Sequence, residues 1–479
     1  MVFSSVFFLF VFFPIALAVY YVIPTIRAKN IWLLFASLWF YSWGELRYLP
    51  LLLASIGMNY AFGLLVARAA QASAARKVWV AAAVAANLAL LVYFKYWCFI
   101  LTNAAVVLKA VGHKTTIPSI ALPLGISFFT FHALSYILDV ARGHVQVQKS
   151  PLRLALYISL FPQLVAGPIV RYGHVAHELA ERTHNLDDFA YGVYRFVLGL
   201  AKKVLIANVV GAVADQCFKL PPHALTSIHA CLGVVCYTLQ IYFDFSGYSD
   251  MAIGLGRMFG FHFRENFDLP YLATSITDFW KRWHISLTSW FRDYLYVPLT
   301  GNQFWVPPWR SYSAMFIVFL LCGFWHGASW TFVLWGTLHG TMLIAERAFL
   351  LKLLQRLPQL VQNLYALALV MAGWVLFRSD SFSGAAVYFH ALFHLKDWGA
   401  FHWNTLSTVI NAEGWLALVA GLLAAGRLRG VLFSRFFFRE SQGIWVASPA
   451  GVLTVLSLLL VTAMKLANSS FNPFIYYRF

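Results

Sequence analysis

The sequence predicts an all-α polytopic membrane protein. Of its 479 residues, 61% are hydrophobic and only 11% are charged, whereas soluble domains average about 25% charged residues. Apolar runs recur along the whole chain, and about 20 apolar residues suffice to cross the hydrocarbon core of a bilayer. We count roughly ten to twelve such windows, some of them short enough to be re-entrant or interfacial.

The basic residues lie in short loops beside these apolar runs, which accounts for the net charge of +17 without a nucleic-acid partner. Arg27 and Lys29 follow the first run, and Arg76 and Lys77 follow the third. The positive-inside rule makes these loops cytoplasmic, so the N-terminus is expected to face outward. No basic residue precedes residues 2–23, so we interpret this run as a first span rather than a cleaved signal peptide.

We expect one integral membrane domain over residues 1–479, with its core motifs in 241–345. No long repeat or polar linker separates a second domain, and the lack of a repeat argues against an inverted-repeat transporter. One segment within this domain is unusual. Residues 157–170 carry Pro162, Gly167 and Pro168 and are too short to span, so we expect them to line a cavity or form a re-entrant turn.

The first motif is polar, with a histidine on its apolar side. Projected as a helix, residues 276–294 place His284 inside an apolar stripe, between Trp280 and Thr288, while Asp278 and Arg282 have the i,i+4 spacing of an ion pair. This pattern predicts an interfacial amphipathic helix. Two interpretations of His284 remain open, a functional side chain or a core histidine bonded to a backbone carbonyl.

The second motif places His326 inside the apolar run 312–345. As one helix this run would measure roughly 50 Å, which exceeds one core thickness. We therefore expect two shorter helices that meet near residues 327–329, with His326 part-way across the membrane. Gly323 and Gly327 form a small-xxx-small pattern that allows close helix approach. An ionisable residue in this position is a functional candidate, whereas His339 is interpreted as structural.

No metal site is expected. The group His174, His177 and Glu178 lacks the order of a zinc motif, and the five cysteines include no C-x-x-C pair. Asp244 and Asp250 carry the chemistry of a cation site, but they lie 240° apart on a helix at 100° per residue. We expect these carboxylates to bond the backbone or neighbouring helices instead.

Four motifs together resemble a known family. They are Trp-Lys-Arg-Trp-His284-Ile-Ser-Leu, Phe-Arg-Asp-Tyr-Leu-Tyr-Val-Pro-Leu, Phe-Trp-His326-Gly-Ala-Ser-Trp and Asp244-Phe-Ser-Gly-Tyr-Ser-Asp250. They look like the signature of the membrane-bound O-acyltransferase (MBOAT) family. The similarity covers nearly the whole chain and is greatest to the bacterial alginate O-acetylase membrane subunit. The D-alanyl transfer protein of teichoic acid is a more distant relative.

The resemblance implies a helical ring around a central funnel and a set of site residues. His326 would be the base that takes a hydroxyl proton, a role that suits an imidazole titrating near ~6.5. His284 would orient or polarise the carbonyl of the acyl donor. No bound cofactor is expected, and acetyl-CoA would be the donor substrate. Its phosphates would meet Lys281, Arg282 and Arg292, with lipid headgroups as the alternative partners of these cations. Trp283 and Trp325 complete the candidate substrate-binding set.

The resemblance also implies a setting. The protein would be a multi-pass protein of the bacterial inner membrane that O-acetylates an exported, alginate-like polysaccharide. Its expected partners are the lipid bilayer, an extracytoplasmic acetyl-carrying or SGNH-hydrolase-like protein and, indirectly, the polysaccharide. Two alternatives remain open: D-alanyl transfer of the teichoic-acid type, and a non-enzymatic transporter or flippase that would tolerate His326→Gln.

Overall fold

The computed structural model describes residues 1–113, 116–301, 306–394, 406–426, 438–441, 444–447 and 449–468. The first half of this part is helical. Its helices are α1 Phe13–Val22, α2 Ile26–Glu45, α3 Leu49–Arg68, α4 Ala74–Leu91, α5 Trp97–Ala110, α6 Ile126–Arg142, α7 Pro151–Ser159, α8 Phe161–Leu164, α9 Tyr172–Ala180, α10 Leu186–Ala201, α11 Asn208–Phe218 and α12 Ser227–Met258.

The second half continues the helical pattern and adds one small hairpin. Its helices are α13 Ile276–Arg282, α14 Ile285–Phe291, α15 Val297–Thr300, α16 Pro308–His326, α17 Trp330–Ala345, α18 Leu351–Leu354, α19 Gln359–Arg378, α20 Phe382–Phe393, α21 Ala412–Ala425 and α22 Pro449–Asn468. Strands β1 Phe438–Ser441 and β2 Ile444–Ala447 pair antiparallel. Shorter 3₁₀ or π-helical turns are Phe8–Phe12, Leu46–Tyr48, Val92–Tyr96, Lys202–Ala207, Pro270–Leu272, Arg292–Tyr296 and Glu346–Leu350.

Within the described residues, six helical stretches are long and apolar enough to cross a membrane. They are Ile26–Arg68, Ala74–Ala110, Leu186–Phe218, Ser227–Met258, Gln359–Arg378 and Pro449–Asn468. Three shorter apolar helices, Phe8–Val22, Phe382–Phe393 and Ala412–Ala425, accompany them. The predicted fold class, a helical polytopic membrane protein, is confirmed, and the β1–β2 hairpin is an addition that the sequence did not suggest.

The chain divides into two compact units. Unit 1 comprises Met1–Gly192 and Ala252–Arg264, and unit 2 comprises Val193–Met251 and Glu265–Phe479. The expectation of one domain over 1–479 remains a prediction, and residues 302–305 of its core range lie outside the described residues. Unit 2 contains both motif histidines, His284 and His326.

Unit 1 buries the proline-rich segment that the sequence marked as broken. All ten residues from 161 to 170 are buried. Gly125 lies so close to this segment that a Cβ there would be 2.6 Å from the Leu164 carbonyl oxygen. The Tyr157 hydroxyl donates to the Val170 carbonyl, 2.9 Å away. The irregular backbone is thus enclosed by protein, where its polar groups find partners.

In unit 2, α16 and α17 form a tight helical hairpin. As predicted from the length of the apolar run, one helix ends at His326 and the next begins at Trp330. A Cβ on Gly323 would overlap the Phe332 carbonyl oxygen and lie 3.0 Å from the Cα of Gly336. The small residues therefore allow main-chain contact between the two helices, as the small-xxx-small pattern indicated.

The first motif departs from its prediction. The continuous helix expected over 276–294 is wrong, because α13 ends at Arg282, α14 begins at Ile285, and His284 between them has φ 44° and ψ 54°. This left-handed conformation is uncommon for a residue other than glycine and requires support from its surroundings. The i,i+4 pair was predicted correctly, since Arg282 Nε lies 3.0 Å from Asp278 Oδ1.

Candidate active site

His326 is buried at the C-terminal end of α16. Only 5% of its surface is exposed. Its imidazole contacts three aromatic rings, with centroid distances of 4.9 Å to Trp325, 5.1 Å to Trp335 and 5.2 Å to Phe377. The helix ends here because the following Gly327 adopts an extended conformation and reverses the chain toward α17. The sequence prediction of a buried histidine at a helix break is confirmed.

His284 is completely buried and bonded to a side chain of a preceding loop. Its Nδ1 lies 3.2 Å from Oδ1 of Asn266, and its exposed fraction is 0%. Its ring also packs edge-on against Phe245 with a centroid distance of 4.5 Å. The alternative of a histidine bonded to a backbone carbonyl is therefore replaced by a bond to an asparagine side chain.

The hydrogen bonds around Asn266 determine which nitrogen of His284 carries the proton. The Ser286 backbone N–H donates to Oδ1 of Asn266 at 3.1 Å, and the Ser286 hydroxyl donates to the same atom at 2.9 Å. Because a backbone N–H can only donate, the atom facing His284 is the amide oxygen. A neutral His284 therefore donates from Nδ1, and Nε2 carries the lone pair.

The same loop produces the left-handed turn at His284. The Ile285 N–H donates to the Asn266 carbonyl at 3.0 Å, and the Asp268 N–H donates to the Arg282 carbonyl at 2.9 Å. These two bonds pair the loop with the junction between α13 and α14. They compensate for the left-handed backbone, which costs of order 1–3 kcal/mol. The turn thus points the imidazole inward instead of continuing the helix.

Burial keeps His284 neutral. The residue lies between two short helices, outside the six candidate spans, and desolvation lowers its pKa to about 3. The neutral ring can accept a hydrogen bond at Nε2 and has no second N–H to donate. The roles expected for His284, orienting or polarising the carbonyl of the acyl donor, remain predictions.

A continuous set of ring contacts joins the histidines. Trp325 lies between His284 and His326, with its centroid 6.4 Å from the first ring and 4.9 Å from the second. On the other side of His326, the Trp335 ring leads to His339 at 4.8 Å. The structure therefore brings both candidate catalytic histidines into one buried aromatic cluster.

A buried carboxylate fixes the start of the first motif. Glu346, which is 1% exposed, accepts the backbone N–H groups of Ile276 at 2.7 Å and Thr277 at 2.8 Å. It also accepts the Thr277 hydroxyl at 2.6 Å and the Tyr365 hydroxyl at 3.1 Å. Two free N–H groups at the N-terminus of α13 are thus satisfied by a negative charge, the sign that a helix N-terminus favours.

The two aspartates of α12 bond a neighbouring helix, as expected. Asp244 pairs with Lys203, and Asp250 pairs with both Arg195 and Lys202. All five side chains are at most 8% exposed. Such charges are costly to bury unless they are paired, so these carboxylates serve to neutralise the adjacent cations.

The remaining substrate-binding candidates occupy two environments. Lys281 and Arg292 are exposed, and Arg282 lies within ion-pair distance of Asp278 and Asp268. Trp283 and Trp325 are buried, at 3% and 5% exposure. The cations thus lie at the surface of unit 2, whereas the two indoles lie inside its core. Their role in binding remains a prediction.

Comparison with known proteins decides the family. The model of "MBOAT, membrane-bound O-acyltransferase family" matches residues 38–377. The chain belongs to the membrane-bound O-acyltransferase family. It is therefore an acyltransferase, and the transporter alternative is set aside.

Among MBOAT relatives, the chain is 38% identical to a probable alginate O-acetylase of Azotobacter vinelandii over the full length of both proteins. It is 37% identical to a peptidoglycan O-acetyltransferase of Helicobacter pylori, over 80% of this chain and 78% of that one. A teichoic acid D-alanyltransferase of Bacillus subtilis is 30% identical, but over only 47% of this chain and 59% of its own.

Two residues that build this MBOAT site were missed from the sequence. Asn266 lies 18 positions before His284, and Glu346 lies 70 positions after Ile276. The only feature of the sequence that could have indicated them is that each is a polar residue next to an apolar stretch. Neither residue falls in a local pattern with its partner, so only the folded chain reveals the contacts.

Proposed function

We propose that this MBOAT protein is an O-acetyltransferase that moves an acetyl group from a cytoplasmic thioester donor, acetyl-CoA, across the membrane for O-acetylation of an exported polysaccharide of the alginate type. The choice of acetyl group and polysaccharide is supported by the full-length similarity to probable alginate O-acetylases. The relative named for D-alanyl transfer matches only about half of the chain.

The observation that carries the proposal is the burial of His326 beside Trp325 in the same aromatic cluster as His284. Acyl transfer to a hydroxyl needs a base within reach of that hydroxyl, in a place that excludes water from the thioester. A histidine at a helix end, enclosed by indole and phenyl rings, meets both requirements.

His326 is assigned as the base. The acceptor oxygen forms a bond to the acyl carbon while its proton passes to the imidazole, and the carbon–sulfur bond breaks to release a thiolate. The imidazolium then returns the proton to the thiolate, so an ester and a free thiol leave and His326 is neutral again. His284 orients a substrate through the lone pair of its Nε2.

The same similarity supports a proposed setting. We place the protein in the bacterial inner membrane, together with an extracytoplasmic partner that carries the acetyl group or resembles an SGNH hydrolase and passes the group to the polysaccharide. Lys281, with Arg282 and Arg292, attracts the phosphates of acetyl-CoA at the cytoplasmic face.

The test is the O-acetyl content of exported polysaccharide in cells that lack the gene. Rescue is compared for wild type, His326→Gln and His284→Gln, with His223→Gln as control because His223 is an exposed residue between α11 and α12. Membrane levels are checked by immunoblot. The acyl group released by alkali is identified as acetate or D-alanine.

We expect full rescue by His223→Gln and loss of acetate with a normally expressed His326→Gln. Full rescue by His326→Gln would remove this residue as the base. Release of D-alanine instead of acetate would replace the proposed acyl group while leaving the acyltransferase assignment intact.

A further inference from the structure

We propose that Asn266 is a positioning residue that holds His284 in the Nδ1–H tautomer, so that Nε2 accepts a hydrogen bond from an N–H or O–H group of a substrate. This inference rests on the proposed function, since it assigns a task to a residue of the same site. It assigns a task to a residue 18 positions before His284 for which the sequence predicted none.

The first step is the orientation of the Asn266 amide. Oδ1 receives the Ser286 backbone N–H, and Nδ2 donates to the Ser249 hydroxyl at 3.1 Å. A reversed amide would place its NH₂ group against the Ser286 backbone N–H, so that two donors would face each other. The Ser249 hydroxyl can pair with either end of the amide, so it is Ser286 on α14 that fixes the oxygen toward His284.

The second step is the proton on His284. Its Nδ1 faces the Asn266 oxygen at 3.2 Å and the Ser286 hydroxyl at 3.5 Å. The Ser286 hydrogen is already directed to Asn266, so both neighbours present lone pairs. Only a protonated Nδ1 makes these contacts favourable, and this leaves Nε2 as the acceptor.

The third step is that Nε2 is buried with no hydrogen-bond partner among the described residues. A buried acceptor without a partner costs about 1–3 kcal/mol. The turn that imposes this cost is itself strained, with φ 44° at His284. This acceptor lies beside Trp325, whose ring also contacts His326. A strained turn that holds an unsatisfied acceptor is expected where a substrate supplies the missing hydrogen bond.

Among the residues that the structure describes, the side chains in hydrogen-bond or ring contact with His284 are uncharged: Phe245, Asn266, Phe267, Ser286 and Trp325. The carboxylates on the packed helix α12, Asp244 and Asp250, are paired with Lys203 and with Arg195 and Lys202. On α16, His326 is connected to His284 through the Trp325 ring, which contacts both histidines.

The donor group comes either from the amide-rich arm of the thioester or from the acceptor hydroxyl. Both present the same chemistry to Nε2, and kinetics distinguish them. Loss of the bond to the thioester raises KM for acetyl-CoA, whereas loss of the bond to the acceptor hydroxyl lowers kcat and leaves that KM unchanged.

The direct test is ¹⁵N solid-state NMR of the full chain in lipid bilayers, with ¹⁵N-labelled histidine. His284→Gln identifies the resonances of residue 284. Asn266→Leu removes the acceptor, and Asn266→Asp retains it. Asn87→Leu is the matched control, because Asn87 is also fully buried and bonds another asparagine, Asn59, within unit 1.

We expect the wild type and Asn266→Asp to show the Nδ1–H tautomer at residue 284, and Asn266→Leu to lose it. Initial rates of acetyl transfer in membrane vesicles should fall about 10- to 100-fold for Asn266→Leu, the range to which the loss of one buried hydrogen bond corresponds. The Asn266→Asp carboxylate favours the imidazolium, so the acid limb of its pH profile should move to higher pH. Asn87→Leu should leave the tautomer and the pH profile unchanged.

An unchanged residue 284 resonance in Asn266→Leu would overturn the inference. So would a fall in rate with the tautomer retained, because that outcome describes a purely structural asparagine. If Asn266→Leu does not fold, an Nε2–H tautomer at residue 284 in the wild type or in Asn266→Asp overturns the inference. The NMR readout does not depend on acetyl transfer, so failure of the proposed function would leave it informative.

Discussion

Trp280 donates its indole N–H to Nδ1 of His339, at a distance of 3.3 Å. The bond connects α13 to α17 and lies within the aromatic cluster that also contains His326. From the sequence we interpreted His339 as structural, and in the structure it links two helices by accepting this hydrogen bond.

The replacement His339→Leu should therefore destabilise the protein rather than block its chemistry. It leaves a buried indole N–H without an acceptor, at a cost of about 1–3 kcal/mol. His339→Asn can still present an oxygen and should be milder. Two measurements check this prediction: the thermal unfolding of each variant in detergent, and its rate of acetyl transfer per folded molecule. Wild-type stability with abolished transfer in His339→Asn would instead assign His339 a chemical role.

Gly323→Ala should disrupt the α16–α17 hairpin. The added methyl group would overlap the Phe332 carbonyl oxygen, which belongs to main chain and cannot rotate away. Overpacking of this kind typically costs about 1–3 kcal/mol. The measurement is the yield of monodisperse protein and its melting temperature. Gly57→Ala is the matched control, because no described atom lies within 4 Å of a Cβ at this helical position. Equal behaviour of the two variants would contradict the prediction.

Glu346→Ala should loosen α13 and with it the turn at His284. It removes the acceptor of two backbone N–H groups and of two hydroxyls, all at a side chain that is 1% exposed. We expect a lower melting temperature and reduced acetyl transfer. Thr277→Val removes only the hydroxyl bond and should lose much less. A larger effect of Thr277→Val than of Glu346→Ala would show that the carboxylate is unimportant.

Lys281→Ala should raise KM for acetyl-CoA about two- to fivefold and leave kcat unchanged, because an exposed cation contributes a weak, screened attraction to phosphate. Initial rates at low and high salt provide the check, and the difference should shrink at high salt. Lys219→Ala, at an exposed lysine after α11, is the control. An unchanged KM in Lys281→Ala and Arg282→Ala would remove these cations from the donor site.

Stability should fall as pH drops below 6.5, in part through His284. Its pKa is lowered from 6.5 to about 3 in the folded protein. The unfolded chain therefore binds a proton between these values that the folded chain does not, and stability rises with pH across this window. The contribution at pH 5 is about 2 kcal/mol. The drop in melting temperature from pH 7.5 to pH 5 should be larger for wild type than for His284→Gln. An equal drop in the two proteins would refute this contribution of His284.

The features set by local sequence were predictable. The length of the run 312–345 required a break, which was predicted near residues 327–329, and α16 ends at His326 while α17 begins at Trp330. Likewise, Asp244 and Asp250 were expected to bond neighbouring helices, and they pair with Lys203 and Arg195. In each case one helix and its periodicity contained the information.

The features set by distant partners were not predictable. The periodicity of 276–294 favours a continuous helix, and the structure breaks it at His284 because Asn266, 18 positions upstream, bonds the junction. Burial of His284 was indicated by the apolar stripe, but its tautomer was not. The role of Glu346 as a cap of α13 could not be predicted either, because its partner Ile276 lies 70 positions away in the chain.

The main-chain contact between Gly323 and Gly336 limits how a molecule can reach His326. Two helices whose backbones touch leave no gap for an acyl chain or a sugar to pass between them. A route to His326 therefore cannot run between these two helices where they touch, and it must reach the histidine from another side of its ring cluster.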